Sequence, residues 1–523
     1  MISQADAEFG KLRSYFWPIH RHELRMFVPM LIMLFFVCFN YSILRSMKDS
    51  IIITAPGGAE VLPFIKLWVI LPAAILSTLL FAKLSNLYSQ EKVFYIVIST
   101  FVVGYLLFAF ILYPMRGVLH PTELAAELQT ILPKGFNGLI AMFCNWTFTG
   151  FYVLCELWST MVLSVLFWGF ANEVTKITVA RRFYSVFAIF SNISAIIAGQ
   201  TANFLSTQGV YNERLPFGSD SYEQTMMTMV LVISSTSIIV MLVFRWLNKN
   251  VLTDASFDEF HKTKLELKKK GRLSMKESFS YLSNSRYLIC IAVLVVGYNL
   301  TINLAEVLWK DRLRAFFTKA DDVNMFLNNL TSMMGVVSTC VAIFMARIIA
   351  NFGWTKTAMI TPVIMCITAS GFFLFMIFEE ALAPYVISAL GMSSLAITVY
   401  FGAAQNCLSK AMKYSVFDAT KEIAFIPLDH ESKLKGKAAI DGVGSRLGKS
   451  GGSLLYQGLI LSFGSIIASA PYVGMIIMGA IGGWMVAVGA LGKRFTDKVK
   501  KQAEDLVAAD AVTPPAEPVK TSV

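Results

Sequence analysis

Six ionisable side chains lie within long apolar stretches of the sequence. A charge at the centre of a membrane helix costs about 2.5–3.5 kcal/mol on insertion scales, so each is a candidate functional group. Three are cationic and three are anionic, which allows them to pair when no ligand is present. The cations could also hold an anion, since arginine offers phosphate oxygens a planar fork and lysine a compact charge. The six residues are Lys66, Glu156, Glu306, Asp441, Arg446 and Lys449.

Polar side chains accompany these charges at intervals of three or four residues, which places them on one helix face. Such stripes are predicted to face a water-filled pathway, because lipid cannot solvate them. For the asparagine and threonine positions, hydrogen bonding between helices is an equally good interpretation. Lys66 and Arg446 could instead extend toward a membrane interface. The stripes are Asn145, Thr149, Tyr152, Glu156 and Thr160; Asn299, Asn303, Glu306 and Lys310; Tyr41, Arg45 and Lys48; and Asp441, Ser445, Lys449 and Ser453.

The segment Gly444–Ser450 resembles the phosphate-binding loop of nucleotide hydrolases but does not satisfy its pattern. That pattern needs four residues between its glycines, and only three separate Gly444 from Gly448. Small residues there could still let a phosphate approach Lys449 and Arg446. No zinc-binding or Ser-His-Asp pattern is visible, and the five histidines fall in predicted loops. The sequence therefore predicts neither an enzyme nor a site for a cofactor or metal.

The elements that would position these groups are membrane helices. Of the 523 residues, 56% are hydrophobic and 15% are charged, with a mean hydropathy of +0.61. Soluble domains are nearer ~45–50% apolar and ~25% charged. The apolar residues form blocks of about twenty, the length that spans a bilayer as a helix. We predict an all-α membrane protein with about twelve transmembrane helices, at residues 26–44, 62–84, 93–113, 136–170 (a re-entrant or surface lead-in followed by the fourth span), 183–205, 226–247, 287–309, 324–350, 357–378, 383–408, 438–461 and 471–491.

A lysine-rich polar stretch divides the predicted spans into two groups of six. Each group has a Lys-Asp pair where its first span ends, at residues 48–49 and 310–311, which suggests an internal repeat, although short matches in apolar sequence also arise by chance. Two six-helix halves around a central site are the plan of the major facilitator transporters, which is the predicted architecture. The predicted regions are an N-terminus (1–25), a six-helix bundle (26–247), a central loop (248–286), a second six-helix bundle (287–491) and a disordered tail (492–523).

Lysine and arginine concentrate in alternate segments between the spans, which predicts that both termini are cytoplasmic. This interpretation assigns Lys48 and Lys310 to outside segments. It also explains the net charge of +11 without a nucleic-acid partner, and it makes the basic run at 268–270 an orientation signal. Residues 1–25 are polar and basic and contain no apolar run, so no cleavable signal is predicted. A bacterial inner membrane is the expected location, with the lipid bilayer as partner.

Longer stretches of sequence resemble one known family over nearly the whole chain, from Gly10 to about Trp484. In the first half they are FNYSILR (39–45), TAPG (54–57), PFIKLW (63–68), NWTF (145–148), ELW (156–158) and FWGFANE (167–173). In the second half they are INL (302–304), EV (306–307), WK (309–310), KEIAFIPLD (421–429), KGKAAID (435–441) and GKSGG (448–452). With these stretches the chain resembles the ATP/ADP translocases, or nucleotide transporters, of intracellular bacteria such as chlamydiae and rickettsiae, and of plastids.

The resemblance implies two intramembrane lysines and two glutamates that transport requires. By local context these roles fall on Lys66, Glu156, Glu306 and Lys449. One departure is Leu308, which stands where relatives often have threonine. A change so close to Glu306 could alter which base or how many phosphates are accepted.

The functional hypothesis is exchange of ATP for ADP by alternating access, carried out by a monomer. Lys449, Lys66 and Arg446 would hold the phosphates. Glu156 and Glu306 would pair with the lysines when the carrier is empty and release them on loading. The alternative is a proton-coupled importer of other nucleotides, NTPs or NAD, in which one of these glutamates carries the proton.

The remaining candidate binding residues are a second polar group and two aromatic rings. Asn303 lies on the same predicted stripe as the glutamate of the seventh span. Tyr152 or Tyr41 would stack on the nucleotide base, a contact worth about 1–3 kcal/mol in other nucleotide-binding proteins.

Overall fold

A computed structural model describes residues 17–175, 177–207, 209–252, 285–428 and 445–512, together with the separate residues Gly10, Arg13, Gly436, Lys437 and Ile440. All regular structure within these described residues is helical, which confirms the predicted all-α class. The central loop predicted at 248–286 falls mostly outside the described residues, as do the last residues of the chain, 513–523.

Fifteen helices of eight residues or more follow one another along the described chain. They are α1 Leu24–Thr54, α2 Gly58–Leu87, α3 Gln90–Leu112, α4 Thr122–Ile131, α5 Asn137–Cys144, α6 Trp146–Val174, α7 Ile177–Leu205, α8 Ser221–Asn250, α9 Arg286–Phe316, α10 Ala320–Met345, α11 Asn351–Ile377, α12 Glu379–Leu390, α13 Ser394–Ala424, α14 Ser445–Phe463 and α15 Ile466–Val512.

The described helices account for the predicted spans. Ten of them are long and apolar enough to cross a membrane, and the bent pair α12–α13 makes eleven if it is one span. The predicted span at 438–461 overlaps α14, Ser445–Phe463, and its residues before Ser445 lie mostly outside the described part of the chain. The prediction of one lead-in segment before the fourth span is confirmed: α5 ends at Cys144, the backbone turns at Asn145 (φ −93°, ψ 47°), and α6 follows.

The continuous span predicted at 383–408 is wrong. The chain bends there by 87° between α12 and α13. Gly391 ends α12 in the left-handed conformation (φ 65°), which a glycine adopts without the steric cost that a Cβ brings. Residues 383–390 therefore belong to a separate short helix.

The first helix is longer than the predicted span, and this changes the position of several charges. α1 continues ten residues past Leu44 to Thr54, so Lys48 and Asp49 are helical and buried, with 2% and 5% of their surface exposed. Lys310 lies within α9 and is 1% exposed. The assignment of Lys48 and Lys310 to segments outside the spans is therefore wrong.

The last helix also extends beyond its predicted end. α15 continues to Val512, whereas the tail was predicted to be disordered from Gly492. Alanine-rich sequence favours helix, and Lys500 lies 3.9 Å from Glu504 one turn later, a spacing that adds modest support.

Hydrogen bonds identify the two ends of the helical bundle. Arg25 at the start of α1 donates to the carbonyl of Asn250 at the end of α8 (2.6 Å), so these ends share a face, here named the terminal face. At the opposite, far face the two halves are joined by hydrogen bonds: Asn203 Nδ2 to Asn329 Oδ1 (2.6 Å) and Ser221 Oγ to Asp321 Oδ2 (2.6 Å).

Close packing of α7 against α10 depends on small residues. A Cβ added at Gly199 would lie 2.2 Å from Ser332 Oγ and 2.4 Å from the carbonyl oxygen of Asn328. A glycine at this point lets the two backbones approach, as small residues do between membrane helices. The far-face side of the interface between the halves is therefore tightly closed.

The variant Gly199→Ala should unfold at a lower temperature than the wild type in detergent. Overpacking costs about 1–3 kcal/mol, and the clash with a backbone carbonyl cannot be relieved by a rotamer change. The matched control is Gly150→Ala, where nothing lies within 4 Å of the added Cβ and alanine should instead favour the helix by about 0.5–1 kcal/mol. Equal melting curves for the two variants would contradict the assigned packing.

Candidate functional site

A cavity of about 300 Å³ lies between the two halves. Helices α1, α2 and α6 line it from the first half, and α9, α13 and α14 from the second. The predicted site residues that line it are Tyr41, Lys66, Tyr152, Glu156, Asn303, Glu306 and Lys449. The side chain of Arg446 and all of Asp441 lie outside the described residues.

The cavity lining has a strong excess of positive charge. It contains three carboxylates, from Asp49, Glu156 and Glu306. Its seven cations are Arg45, Lys48, Lys66, Lys310, Lys410, Lys413 and Lys449. Charges interact strongly in a protein interior because little water screens them, so a small polyanion would neutralise the excess of four.

The carboxylates and lysines form a continuous chain of ion pairs across the floor of the cavity. Glu156 on α6 contacts Lys48 on α1 at 2.9 Å. Asp49 Oδ1 accepts a hydrogen bond from Lys48 at 2.8 Å and forms an ion pair with Lys310 of α9 at 2.9 Å. The contact between Asp49 and Lys310 joins the first half of the protein to the second.

At the other end of this series of ion pairs, Glu306 contacts three lysines. Its carboxylate contacts Lys410 of α13 at 3.0 Å, Lys310 one helical turn away at 3.4 Å and Lys66 of α2 at 3.6 Å. Of the pairings predicted between the two glutamates and Lys66 or Lys449, the one between Lys66 and Glu306 is present, whereas Glu156 pairs with Lys48 instead. We name the complete set the ion-pair chain; its members are Glu156, Lys48, Asp49, Lys310, Glu306, Lys66 and Lys410.

The exposure of the charged groups shows which end of the cavity is open. The side chains of Lys48 and Lys310 are 2% exposed, whereas that of Glu156 is 30% exposed and Tyr414 is 46% exposed. Lys449, which lies in the first turns of α14, is also exposed. The exposed groups lie toward the terminal face and the buried ones toward the far face, so the cavity opens at the terminal face.

Asn303 connects Lys66 to the helix that carries Lys449. Its Oδ1 accepts a hydrogen bond from Lys66 Nζ at 2.5 Å, and its Nδ2 donates to the backbone carbonyl of Lys449 at 2.9 Å. Lys449 itself makes no ion pair with any described residue, which leaves its ammonium group available to a ligand in the cavity. Asn303 therefore lines the cavity and also hydrogen-bonds a neighbouring helix, which agrees with both interpretations of the asparagine positions.

The glycines beside Lys449 have a packing role. A Cβ at Gly448 would lie 2.6 Å from Cβ of Asn299, and one at Gly452 would lie 3.1 Å from Nδ2 of Asn303. Small residues at these positions let α14 lie against α9 and bring Lys449 to the cavity wall. Of the segment that resembles a phosphate-binding loop, Gly448 thus has a role in helix packing.

The aromatic residues of the cavity differ in how accessible they are. Tyr152 is 1% exposed, and Lys48 Nζ lies 3.9 Å from the centroid of its ring, so one face is already covered by a cation. Tyr41 is partly buried, whereas Tyr414 exposes 46% of its surface. Tyr414 was missed because it follows the predicted end of the tenth span.

The sequence analysis did not count three lysines of the ion-pair chain as site residues. Lys48 and Lys310 were on polar stripes predicted to face the pathway but were assigned to segments outside the spans, and Lys410 lies two residues past the predicted end of its span. For Lys48 and Lys310 the repeated Lys-Asp pair was a signal in the sequence, but it was interpreted as the end of the first span of each half. For Lys410 the sequence offers no comparable signal.

Several cavity residues lie in segments of π-helix, in which the turn is widened by one residue. Such segments occur at Ile65–Ile70, Ser159–Phe167 and Lys413–Phe417, and they contain Lys66 and Tyr414. A π-turn re-aims side chains relative to a regular helix and is frequent at functional sites. The wider turns therefore help to direct these groups into the cavity.

The arrangement of the helices is similar to that of solved transporters. A bacterial homologue of the iron transporter ferroportin in an inward-facing state is 13% identical, with a TM-score of 0.54 over 90% of this chain and 99% of that one. The inward-open xylose transporter of E. coli is 13% identical, with a TM-score of 0.51 over 89% and 95%. At this identity the likeness defines the fold alone: a multi-pass membrane protein with the two-half fold of the major facilitator transporters.

The sequence then identifies the family. The chain belongs to the TLC ATP/ADP transporter family, which it matches over residues 2–495. The resemblance drawn from the sequence is confirmed, as is the prediction of a transporter and not an enzyme.

Curated relatives cover almost the whole chain. ADP,ATP carrier protein 1 of Chlamydia muridarum is 45% identical over 98% of this chain and 96% of its own length. ADP,ATP carrier protein 1 of Rickettsia bellii is 35% identical over 94% and 98%. The chloroplastic ADP,ATP carrier protein 1 of Arabidopsis thaliana is 39% identical over 90% of this chain and 74% of its own.

Proposed function

We propose that this protein exchanges ATP for ADP across a bacterial inner membrane by alternating access, acting as a monomer with both termini in the cytoplasm. The names of its relatives support the substrate pair, since the chlamydial, rickettsial and plastid proteins are ADP,ATP carriers. The fold supports the transport mechanism, because two helical halves with a site between them can open alternately to either face.

The observation that carries the proposal is the cavity with seven cations and three carboxylates at the interface between the halves. Fully ionised ATP and ADP carry about four and three negative charges, comparable with the excess of four. The phosphates would meet cations of this cavity, among them Lys66, Lys410 and Lys449.

Lys66 and Lys449 have different positions around the proposed phosphate site. Lys66 comes from the first half and is held by Glu306 and Asn303, whereas Lys449 comes from the second half and makes no ion pair with a described residue. A polyphosphate chain could contact both and so join the halves, with Arg446 as a third group of the same helix. Lys410 adds a further cation next to Glu306 at 3.0 Å.

The glutamates would hold lysines in the empty carrier. Glu156 contacts Lys48, and Glu306 contacts three lysines, so their charges are balanced before the nucleotide arrives. An ionised group left without a partner in a buried site costs several kcal/mol. Pairing of this kind keeps the empty cavity stable and lets phosphates compete for the same cations.

The base would stack on an accessible aromatic ring near the opening. Tyr41 and Tyr414 satisfy that condition better than Tyr152, whose ring is buried and covered by Lys48. Base–aromatic stacking is worth about 1–3 kcal/mol and tolerates different bases.

The proposed orientation and assembly have separate support. Lysine and arginine are concentrated on the terminal-face side of the predicted spans, which is typical of the cytoplasmic side. Helices from both halves of one chain enclose the cavity, so one chain is sufficient to form the proposed site.

The exchange is tested with purified protein in liposomes. We expect rapid uptake of labelled ATP when ADP is inside, and at least tenfold slower uptake when the liposomes contain only buffer. Competition by unlabelled ATP, ADP, UTP, GTP and NAD measures the base preference, and protein-free liposomes give the background.

The alternative of proton coupling gives the opposite pattern in the same liposomes. Uptake that persists without internal nucleotide and increases when the outside is made acidic would reject strict exchange. An equal uptake rate with and without a pH gradient, combined with dependence on internal ADP, would support strict exchange.

A further inference from the structure

The two halves of the protein are joined at the floor of the cavity by a buried ion pair. Asp49 and Lys310 lie on α1 and α9, the first helix of each half, and their side chains are 7% and 2% exposed. Beyond them, toward the far face, the halves are joined by hydrogen bonds and not by ion pairs among the described residues: Ser50 Oγ lies 3.5 Å from Asn324 Oδ1, Asn203 bonds Asn329, and Ser221 donates to Asp321. Within the described part of the chain, Asp49–Lys310 is thus the last ion pair between the halves before the closed end.

We propose that Asp49 and Lys310 are positioning residues that lock the far face while the cavity is empty, and that nucleotide loading releases this lock through Glu306. The proposal rests on the proposed function for the nature of the load, a nucleoside polyphosphate. Neither residue needs to contact the nucleotide.

Opening of the far face must separate the two residues, because they belong to different halves. In the empty carrier this separation takes one ion-pair partner from each of the buried charges of Asp49 and Lys310, which is unfavourable. The lock therefore opposes reorientation of the empty protein, and this opposition is what makes exchange obligatory.

Loading changes the balance because Lys310 has a second partner. Its Nζ lies 2.9 Å from Asp49 and 3.4 Å from Glu306, which is one turn earlier on the same helix. Phosphates that draw Lys66 and Lys410 away from Glu306 leave that carboxylate with Lys310 alone. Lys310 can then move toward Glu306 by a change of side-chain rotamer.

After that movement every charge has a partner within its own half. Asp49 keeps Lys48 at 2.8 Å, and Lys48 keeps Glu156 at 2.9 Å, all in the first half. Glu306 and Lys310 pair within α9 of the second half. The far face can then open without leaving a buried charge unpaired across the interface.

The chain contains a matched control for this pair. Asp311 follows Lys310 in the second half as Asp49 follows Lys48 in the first, but it pairs with its neighbour Arg312 at 2.9 Å and does not line the cavity. Removal of its charge tests the effect of losing an aspartate near the far face without breaking the link between the halves.

The first experiment compares uptake of labelled ATP into empty and ADP-loaded liposomes. In Asp49→Asn and Lys310→Met the ratio of empty to loaded uptake should rise at least tenfold over wild type, because the empty carrier can now return. Lys310→Arg, which keeps the charge, and Asp311→Asn should keep the wild-type ratio. An unchanged ratio in Asp49→Asn and Lys310→Met, with exchange still measurable, would overturn the proposal.

The second experiment needs no transport and decides the case in which these variants are inactive. Ser50→Cys places a thiol just beyond the lock at a fully buried position. In purified protein without nucleotide, a water-soluble maleimide should label it at least fivefold faster with Lys310→Met than with Lys310→Arg, after subtraction of the native cysteines. Equal labelling rates would reject the lock, whereas failure of the wild type to exchange nucleotides would reject the proposed function alone.

Discussion

Replacement of Lys66 by alanine should lower the rate of ATP/ADP exchange about a hundredfold at low nucleotide concentration, while the protein still inserts and folds. Lys66 faces the cavity and would donate charge-assisted hydrogen bonds to the phosphates, worth about 1.5–3 kcal/mol each. Each 1.4 kcal/mol is about tenfold in affinity. The fold should survive because Glu306 keeps Lys310 and Lys410 as partners.

The same loss is expected for Lys449→Ala, and the controls separate charge from shape. Lys83→Ala removes an exposed lysine from α2, the helix that also carries Lys66. This lysine lies at the terminal-face end of the helix, and its loss should leave exchange unchanged. Lys66→Arg keeps the charge and should retain part of the activity, since arginine also binds phosphate but with a larger, planar group. Initial rates of labelled ATP uptake into ADP-loaded liposomes measure all four variants. Normal uptake in Lys66→Ala or Lys449→Ala would reject the assignment of that residue to the phosphates.

The sequence was sufficient to predict the spans because the physical signal is strong and local. Blocks of about twenty apolar residues have one stable arrangement in a bilayer, a helix whose backbone groups are satisfied internally. The break between α12 and α13 was missed because its cause, one left-handed glycine at Gly391, lies within a segment that remains apolar on both sides. Apolar content predicts that a segment enters the membrane but not that it continues in one direction.

The same local criterion fails for charges that are compensated in three dimensions. A hydropathy argument ends the first span before Arg45, since each charge after it is costly in lipid. In the folded protein Lys48 lies between Asp49 and Glu156, and Lys310 lies between Asp49 and Glu306, so the cost is offset by two partners, of which one in each case lies on another helix. This information is not contained in any one segment of sequence.

Helical spacing predicted which side chains share a face, but not which of them remain accessible. Tyr152 and Glu156 are four residues apart and both line the cavity, as the spacing indicates. The ammonium group of Lys48 covers the ring of Tyr152, and this contact depends on how α1 packs against α6. Tyr414 is exposed in the cavity and lies in a π-helical segment of α13, Lys413–Phe417, which the residue pattern does not predict.

Removal of the charge of Glu306 should affect binding and turnover in opposite directions. In Glu306→Gln the cavity loses one of three carboxylates, so the excess of positive charge increases and a polyanion should bind more tightly, by about tenfold in apparent affinity. Turnover should fall roughly a hundredfold, equivalent to about 3 kcal/mol, because Lys66 and Lys410 lose the carboxylate that receives them when the nucleotide leaves.

The split between affinity and rate distinguishes this role from direct contact with the nucleotide. The maximal rate and the concentration for half-maximal uptake are measured in ADP-loaded liposomes, and ATP should raise the melting temperature of Glu306→Gln more than that of the wild type, because tighter binding stabilises the folded state further. Glu379→Gln, which removes a carboxylate near Arg312 at the end of the bundle away from the cavity, should change neither quantity. Weaker binding with an unchanged maximal rate would mean that Glu306 contacts the nucleotide itself. The reason for the expected direction is general: a carrier must release what it binds, and a carboxylate that competes with phosphate for the same lysines makes release possible.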